Sequence, residues 1–207
     1  MARTVLVLAA GVATADEAQE AAEGADFIIA ANGGFSLASR AGVPVDLLLG
    51  DIDSLPQVPE GVPIIRVPRE KEATDLELAL DYAVSLNPSY IRVVGAFGAR
   101  LDHTLANANL LAKYDVPIVL FHSGLRAHLV VEKLELSAFP GDLVSLIPLT
   151  AEVRGVHTWG LRYALHDGIL LRASTRGVSN EVVRLPCGVS VREGKLLLIH
   201  IPQGGGR

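Results

Sequence analysis

The segment "LLLGDIDSLP", residues 47 to 56, closes an apolar run with a glycine and then sets Asp51 and Asp53 on either side of one isoleucine. In an extended segment residues i and i+2 project to one side, with roughly 6 to 7 Å between their Cα atoms. Two unit charges at that distance repel by about 2 to 3 kcal/mol at an effective dielectric of about 20. A cation between the carboxylates, or water over both, relieves that repulsion. A polar turn after a buried strand is the plainer reading, because Gly, Asp, Ser and Pro all form turns. Further along, Thr74 and Glu77 of "TDLELAL" make a Thr-x-x-Glu capping box, which puts Asp75 in the first turn of a helix. Asp102, in "GAFGARLDHTLAN", follows a strand and its glycine loop and starts another helix. Singly, Asp75 and Asp102 are explained by capping and the helix dipole, worth about 0.3 to 1 kcal/mol each. Capping does not account for their coincidence with an Asp-x-Asp pair and two glycine loops.

Groups suited to phosphate accompany the acids. "ANGGF" supplies Asn32, Gly33 and Gly34, and "GAFGAR" supplies Gly95, Gly98 and Arg100. Glycine permits close backbone approach to a phosphate, and arginine offers a planar cationic fork. Lys71 stands just before the Thr-Asp helix start. Mg²⁺ is typically held by one or two carboxylates together with substrate phosphates, so this set points to a magnesium-nucleotide site. No Gly-x-x-x-x-Gly-Lys-Ser/Thr loop is present, which excludes a P-loop enzyme.

The elements needed to bring these residues together are legible up to about residue 123. The apolar runs "TVLVLAAG", "DFIIAANGG", "VDLLLGD", "IIRVP", "YIRVVGA" and "PIVLFHS" alternate with helices predicted near Thr14 to Glu23, near Phe35 to Ala41, at "TDLELALDYAV" and at "HTLANANLLAKY". Unbroken apolar strands separated by helices predict a mostly parallel, Rossmann-like sheet with helices on both faces. Ligands of such sheets bind beyond the carboxyl ends of the strands, which places Asp51, Asp53, Asp75 and Asp102 on one rim. After about Leu125, "RAHLVVEK", "LELSAF", "DLVSLIPL", "GLRYAL", "GILLRAS", "EVVRLP", "GVSVRE" and "KLLLIHIP" read as short strands of a β-sandwich. The expected division is an α/β domain over residues 1–125 and an all-β domain over 126–207.

Composition narrows the class further. The 207 residues are 50% hydrophobic, enough for a sizeable core, and a net charge of -5 without a basic stripe argues against a nucleic-acid partner. The single cysteine, Cys187, has no internal disulfide partner and reads as a small buried hydrophobe, as suits a reducing compartment. "MARTVLVLAAGVATA" imitates a secretory signal, but its apolar run is short and valine-rich and the sheet needs it as a first strand. No apolar run approaches the ~18 residues of a membrane span, so a cytoplasmic chain with no membrane partner is expected.

Taken in order, "ANGG", "GDIDS", "KEATDLELAL", "GAFGARLDHTLAN", "TWGLRYAL" and "GVSN" resemble the motif series of the thiamine pyrophosphokinase family, across nearly the whole chain. The resemblance implies transfer of the β,γ-pyrophosphoryl group of ATP to the hydroxyl of thiamine, giving thiamine diphosphate and AMP. It implies that Asp51, Asp53, Asp75 and Asp102 organise Mg²⁺ and the reacting groups, with Asp75 or Asp102 accepting the alcohol proton. It implies nucleotide contacts from Asn32, Gly33, Gly34, Lys71, Gly98 and Arg100. A homodimer with thiamine held at the subunit interface is implied too. Thr74, Asp75, Trp159, Ser179 and Asn180 are then the candidate thiamine contacts, with the residue 126–207 domain serving thiamine binding and dimerisation. Without the resemblance, "GVSN" reads as a turn, Trp159 as a core aromatic and His103 as structural.

The chain departs from the family pattern at three points. Asn32 stands where the family has Asp, Glu72 where Asp is more frequent, and Ala99 where Gly is usual. Two other readings stay open. One is a magnesium-dependent phosphohydrolase with an Asp-x-Asp nucleophile, although "GDIDS" follows the third predicted strand rather than the first. The other is a non-catalytic thiamine- or nucleotide-binding protein, motivated by Asn32.

Overall fold

Six apolar runs become parallel strands. They are β1 (Thr4–Leu8), β2 (Phe27–Ala31), β3 (Leu47–Gly50), β4 (Ile64–Arg66), β5 (Tyr90–Val94) and β6 (Ile118–His122). Every pairing among them is parallel, in the order β6-β5-β1-β2-β3-β4. The computed structural model describes residues 3–52, 61–98 and 100–204. The chain divides into two units, Met1–Leu110 with Ile118–Ser123, and Leu111–Pro117 with Gly124–Arg207.

In the first unit the starts of two helices are capped by threonine side chains. α1 (Ala15–Ala22) opens with a full capping box: Thr14 Oγ1 accepts from the Glu17 N–H at 3.1 Å, and the Glu17 carboxylate accepts from the Thr14 N–H at 3.0 Å. α2 (Gly34–Ala41) ends at Gly42, whose φ of 65° suits a left-handed cap. Leu6, Leu8, Ile28 and Val94 of the strands pack with Ala18, Ala21, Leu37 and Ala38 of these two helices in one core. α3 (Asp75–Ser85) buries Leu76, Ala79, Leu80 and Ala83. Since β4 returns through α3 to β5 on the far side of β1, a right-handed crossover puts α3 on the opposite face of the sheet from α1 and α2. α4 (Leu101–Leu110) starts two residues before the predicted "HTLAN" and passes into a 3₁₀ turn, Leu111–Lys113. Among the described residues no helix is long and apolar enough to cross a membrane.

The second unit is antiparallel. β7 (Leu125–Val130), β9 (Leu143–Pro148), β12 (Asn180–Glu181) and β14 (Leu196–Ile201) pair in the order β12-β9-β14-β7. β8 (Lys133–Leu136), β10 (Glu152–Trp159), β11 (Gly168–Leu171) and β13 (Cys187–Ser190) pair in the order β11-β10-β13-β8. Val144, Leu146, Leu196 and Leu198 of the first layer share a core with Val153, Val156, Leu170 and Val189 of the second, which is the expected sandwich. Cys187 lies fully buried in that core, and burial pushes its thiol pKa up. One predicted strand is corrected: "GLRYAL" forms only an isolated bridge from Leu161 to Val182. The strand beside it, β10, went unread because Gly155 sits at its centre. There the register with β11 shifts between Val153 and Val156, so the strand is bulged and lacks a clean alternation.

Candidate active site

In the first unit the strand order reverses between β1 and β5, and ligands of open parallel sheets bind outside the carboxyl ends at such a point. A cavity of about 630 Å³ lies there. Its walls are the loop after β1 (Ala9 to Val12), the end of β2 with Asn32 and Gly33, the segment from Arg69 to the start of α3, the loop after β5 and one side of α4. The β1 and β5 loops are laced together by backbone hydrogen bonds, Gly11 N–H to Gly95 C=O at 2.8 Å and Val12 N–H to Phe97 C=O at 2.7 Å. A Cβ on Gly11 would collide with the carbonyl oxygens of Gly95 and Phe97, so only glycine fits. Gly11 was not singled out from the sequence, because "LAAG" reads as the tail of a strand. Gly33 faces the cavity, whereas Gly34 is buried with its Cα against the Leu8 carbonyl.

Asn32 organises the acids on this rim. Its φ of 46° is left-handed, which asparagine tolerates better than most residues, and its N–H is fixed to the Leu49 carbonyl at 2.7 Å. From there the carboxamide Nδ2 donates to Asp51 Oδ1 at 2.9 Å and to Asp75 Oδ2 at 3.1 Å. Asp75 heads α3, whose N-cap Thr74 accepts from the Glu77 N–H at 3.2 Å. Its second oxygen, Oδ1, is buried without a well-directed hydrogen bond but lies 3.0 Å from the Lys71 ammonium. Asp53 lies outside the described residues. The extended geometry used to pair it with Asp51 does not hold, however. Ile52 between them has φ 63°, a left-handed conformation unusual for a β-branched residue, and its side chain is buried with Ala30 and Leu48.

Asp102 stands apart from that cluster. Its carboxylate takes a two-point contact from Arg100, Nη2 to Oδ2 at 2.6 Å and Nε to Oδ1 at 3.2 Å, with the two side chains 63% and 72% exposed. The Arg100 hydrogen bond, with a further one from the His103 backbone, lowers its pKa to about 2. Arg100 and His103 line the cavity. Two α4 residues that carried no role in the sequence reading hold the β5 loop in place. The Thr104 hydroxyl accepts from the Gly98 N–H at 3.3 Å, and the buried Asn107 donates its amide to the Ala96 carbonyl. Their only sequence signal was membership of "RLDHTLAN".

A hard cation suits the donors present. Asp51 and Asp75 offer carboxylate oxygens, one of them buried and short of a directed partner, and Lys71 and Arg100 offer positive charge to phosphate. Among the described residues no three carboxylate, histidine or cysteine side chains cluster tightly enough to cage a metal alone.

The remaining candidates lie in the antiparallel unit. Trp159 is half-buried, with the His157 ring stacked at 6.4 Å and the Lys133 ammonium 5.5 Å from its own ring centroid. Ser179 is exposed with φ 59°. Asn180 is buried and its side chain is committed: Oδ1 accepts from the N–H groups of Tyr163 at 3.0 Å and Glu181 at 2.9 Å, while Nδ2 donates to the Tyr163 carbonyl at 2.8 Å. That clasp presents Tyr163, 67% exposed, to solvent. Tyr163 was not among the sequence candidates, although it stands in "TWGLRYAL".

An open parallel α/β sheet with a glycine-walled cavity at its switch point, followed by an antiparallel sandwich, defines a two-domain α/β–β protein. Residues 18–120 match the model of the thiamin pyrophosphokinase catalytic domain, and residues 129–196 that of its vitamin B1 binding domain. The chain therefore belongs to the thiamine pyrophosphokinase family, enzymes of thiamine diphosphate biosynthesis. It is 28% identical over 175 residues to the Bacillus subtilis thiamine pyrophosphokinase, covering 76% of this chain and 78% of that one. Among solved structures it resembles the thiamin pyrophosphokinase of Geobacillus thermodenitrificans, with TM-score 0.82 and 27% identity, over 98% of this chain and 99% of that one. The Bacillus subtilis crystal structure matches with TM-score 0.83 at 24% identity, over 98% and 100% respectively, a likeness of fold.

Proposed function

We propose that this chain transfers the β,γ-pyrophosphoryl group of ATP to the hydroxyl of thiamine, releasing AMP, with the reaction centred on the switch-point cavity. The observation that carries this reading is the convergence of Asp51 and Asp75 on one amide, beside Lys71 and the amino end of α3. Phosphoryl chemistry of this kind needs no covalent nucleophile. Charge on the nonbridging oxygens must be neutralised and the alcohol held in line. Arg100, Lys71 and the backbone of Gly33 and Gly98 supply positive charge and close approach for the phosphates. Asp51 and Asp75, joined by Asp53 from outside the described residues, would hold Mg²⁺. When bound, that ion neutralises phosphate oxygens as a Lewis acid.

For the proton of the thiamine alcohol, Asp75 is the better acceptor. It lines the cavity, whereas Asp102 is committed to Arg100 and its low pKa makes it a poor base. Asp102 then serves to orient the Arg100 fork. Thiamine is read as contacting Thr74 and Asp75, and, through Trp159, Tyr163 and Ser179 of the antiparallel unit, lying at the interface of a cytoplasmic homodimer. The exposed aromatics Phe139 and Tyr163 support an interface on that unit. The division of labour, residues 1–125 for nucleotide and 126–207 for thiamine and dimerisation, belongs to the same reading.

Incubation with thiamine, ATP and Mg²⁺ tests the reaction: AMP and thiamine diphosphate should appear in equal amounts. Thiamine monophosphate with ADP would mean single phosphoryl transfer. Failure to form AMP above background would leave a binding protein. The phosphohydrolase reading gains nothing from the fold, because "GDIDS" follows the third strand, β3, rather than the first.

A further inference from the structure

We infer that Asn32 is a positioning residue whose carboxamide assembles Asp51 and Asp75 before any cation arrives, so that a divalent ion enters only together with nucleotide phosphates. The inference rests on reading the rim as a cation-nucleotide site. A primary amide has two N–H donors, and both point at carboxylates here, to Asp51 Oδ1 at 2.9 Å and Asp75 Oδ2 at 3.1 Å. The reverse amide orientation would aim its oxygen at two anions, which settles which end faces them. Two acids on different elements, after β3 and at the head of α3, are thereby joined through one amide.

The surroundings are built for this amide. Its backbone is left-handed, its N–H is tied to Leu49 and its carbonyl accepts from the Phe35 N–H at 3.1 Å. The end of β3 is glycine because the Asn32 side chain lies over it: a Cβ on Gly50 would come within 2.8 Å of Asn32 Cβ. With Lys71 already 3.0 Å from Asp75 Oδ1, one of the two carboxylate charges is compensated before a lone cation arrives. Phosphate oxygens supply the missing negative ligands and draw Lys71 away.

Binding of Mn²⁺ alone and of Mn²⁺ with ATP, followed by the spin-resonance signal of free Mn²⁺, tests this on the full chain. Thermal melts with and without Mn²⁺ accompany it. Wild type should take Mn²⁺ at least about tenfold more tightly with ATP than without, and Mn²⁺ alone should leave its melting temperature unmoved. Asn32→Asp should gain about tenfold or more in affinity for free Mn²⁺, melt lower without cation and recover with it. Asn32→Gly keeps the left-handed backbone and removes the side chain with its carboxamide; it should also melt lower and recover with Mn²⁺. Equal affinities for free Mn²⁺ in wild type and Asn32→Asp, or lowered melting that Mn²⁺ does not restore in either variant, would overturn the inference alone. No binding of Mn²⁺ with ATP to the wild type would overturn the nucleotide reading and this inference with it.

Discussion

At the residue scale the rim works by contacts that cannot be exchanged for similar ones. Asp51 contributes little to the core, so Asp51→Ala should abolish formation of AMP while costing only about 1 kcal/mol of stability, the worth of one hydrogen bond. A chemical denaturation curve beside the assay separates the two effects, and a large loss of stability would make Asp51 a structural residue. Gly11→Ala is the contrasting case. Its added methyl meets two backbone carbonyls rather than a side chain that could move aside, so about 1 to 3 kcal/mol should be lost and nucleotide affinity with it. Asp75, Lys71 and Arg100 were legible because charge at a helix start or loop end is a visible exception in an apolar sequence. Gly11, Thr104 and Asn107 were not, since Gly11 acts by backbone proximity to a loop far from it in sequence, and the other two act by latching that loop to α4 with uncharged side chains. The spacing of Asp51 and Asp53 misled for a related reason: an i, i+2 argument holds only for extended backbone, and Ile52 is not extended.

At the scale of elements, α3 and α4 line the cavity, and each is tied to it by its first turns. Thr74→Ala removes the cap of α3 and should cost about 1 kcal/mol in urea denaturation, with turnover falling further because Asp75 rides on that turn. Asn107→Ala should leave α4 helical by circular dichroism but free the Ala96 carbonyl and the Gly95 to Gly98 loop, seen as a raised KM for ATP. An unchanged KM would mean the lacing to Gly11 suffices. Helices were the best-read elements, since Thr14 and Thr74 mark their starts chemically. β10 escaped because a bulge at Gly155 destroys the alternation by which a half-buried strand is known, while "GLRYAL" alternates like a strand yet is held by scattered bonds to Thr158, Asn180 and Glu181 rather than by a ladder.

At the scale of the whole chain, the change from alternating strands and helices to strands alone revealed the two-part architecture without any motif. The same scale governs acid sensitivity. Burial lowers the pKa of His128 from 6.5 to about 4, with the electrostatic influence of His200 and Arg126 adding to the effect. Beside them, burial alone would raise the Asp142 pKa, but hydrogen bonds from the Phe139 N–H, His200 and the Gln203 N–H outweigh it and hold it low. Between about pH 6.5 and 4 the unfolded chain binds a proton at His128 that the folded chain refuses, so stability rises with pH across that window. Melting temperature should therefore fall as pH drops from about 7 to about 4.5, and His128→Leu should flatten the slope. The order of the units along the chain has a consequence for synthesis. Leu111–Pro117 belongs to the second unit yet precedes β6 of the first, and it is fastened by Lys195, whose ammonium meets Asp115 and the Ala112 carbonyl at 2.8 Å each. A ribosome delivers Lys195 long after Asp115. Until residue 123 emerges, β5 of the nascent parallel sheet has no outer neighbour, and until Lys195 emerges the crossing between units is unfastened. Premature termination before residue 123 leaves that sheet edge unprotected, so such truncated products of this chain are natural clients for chaperones and proteases.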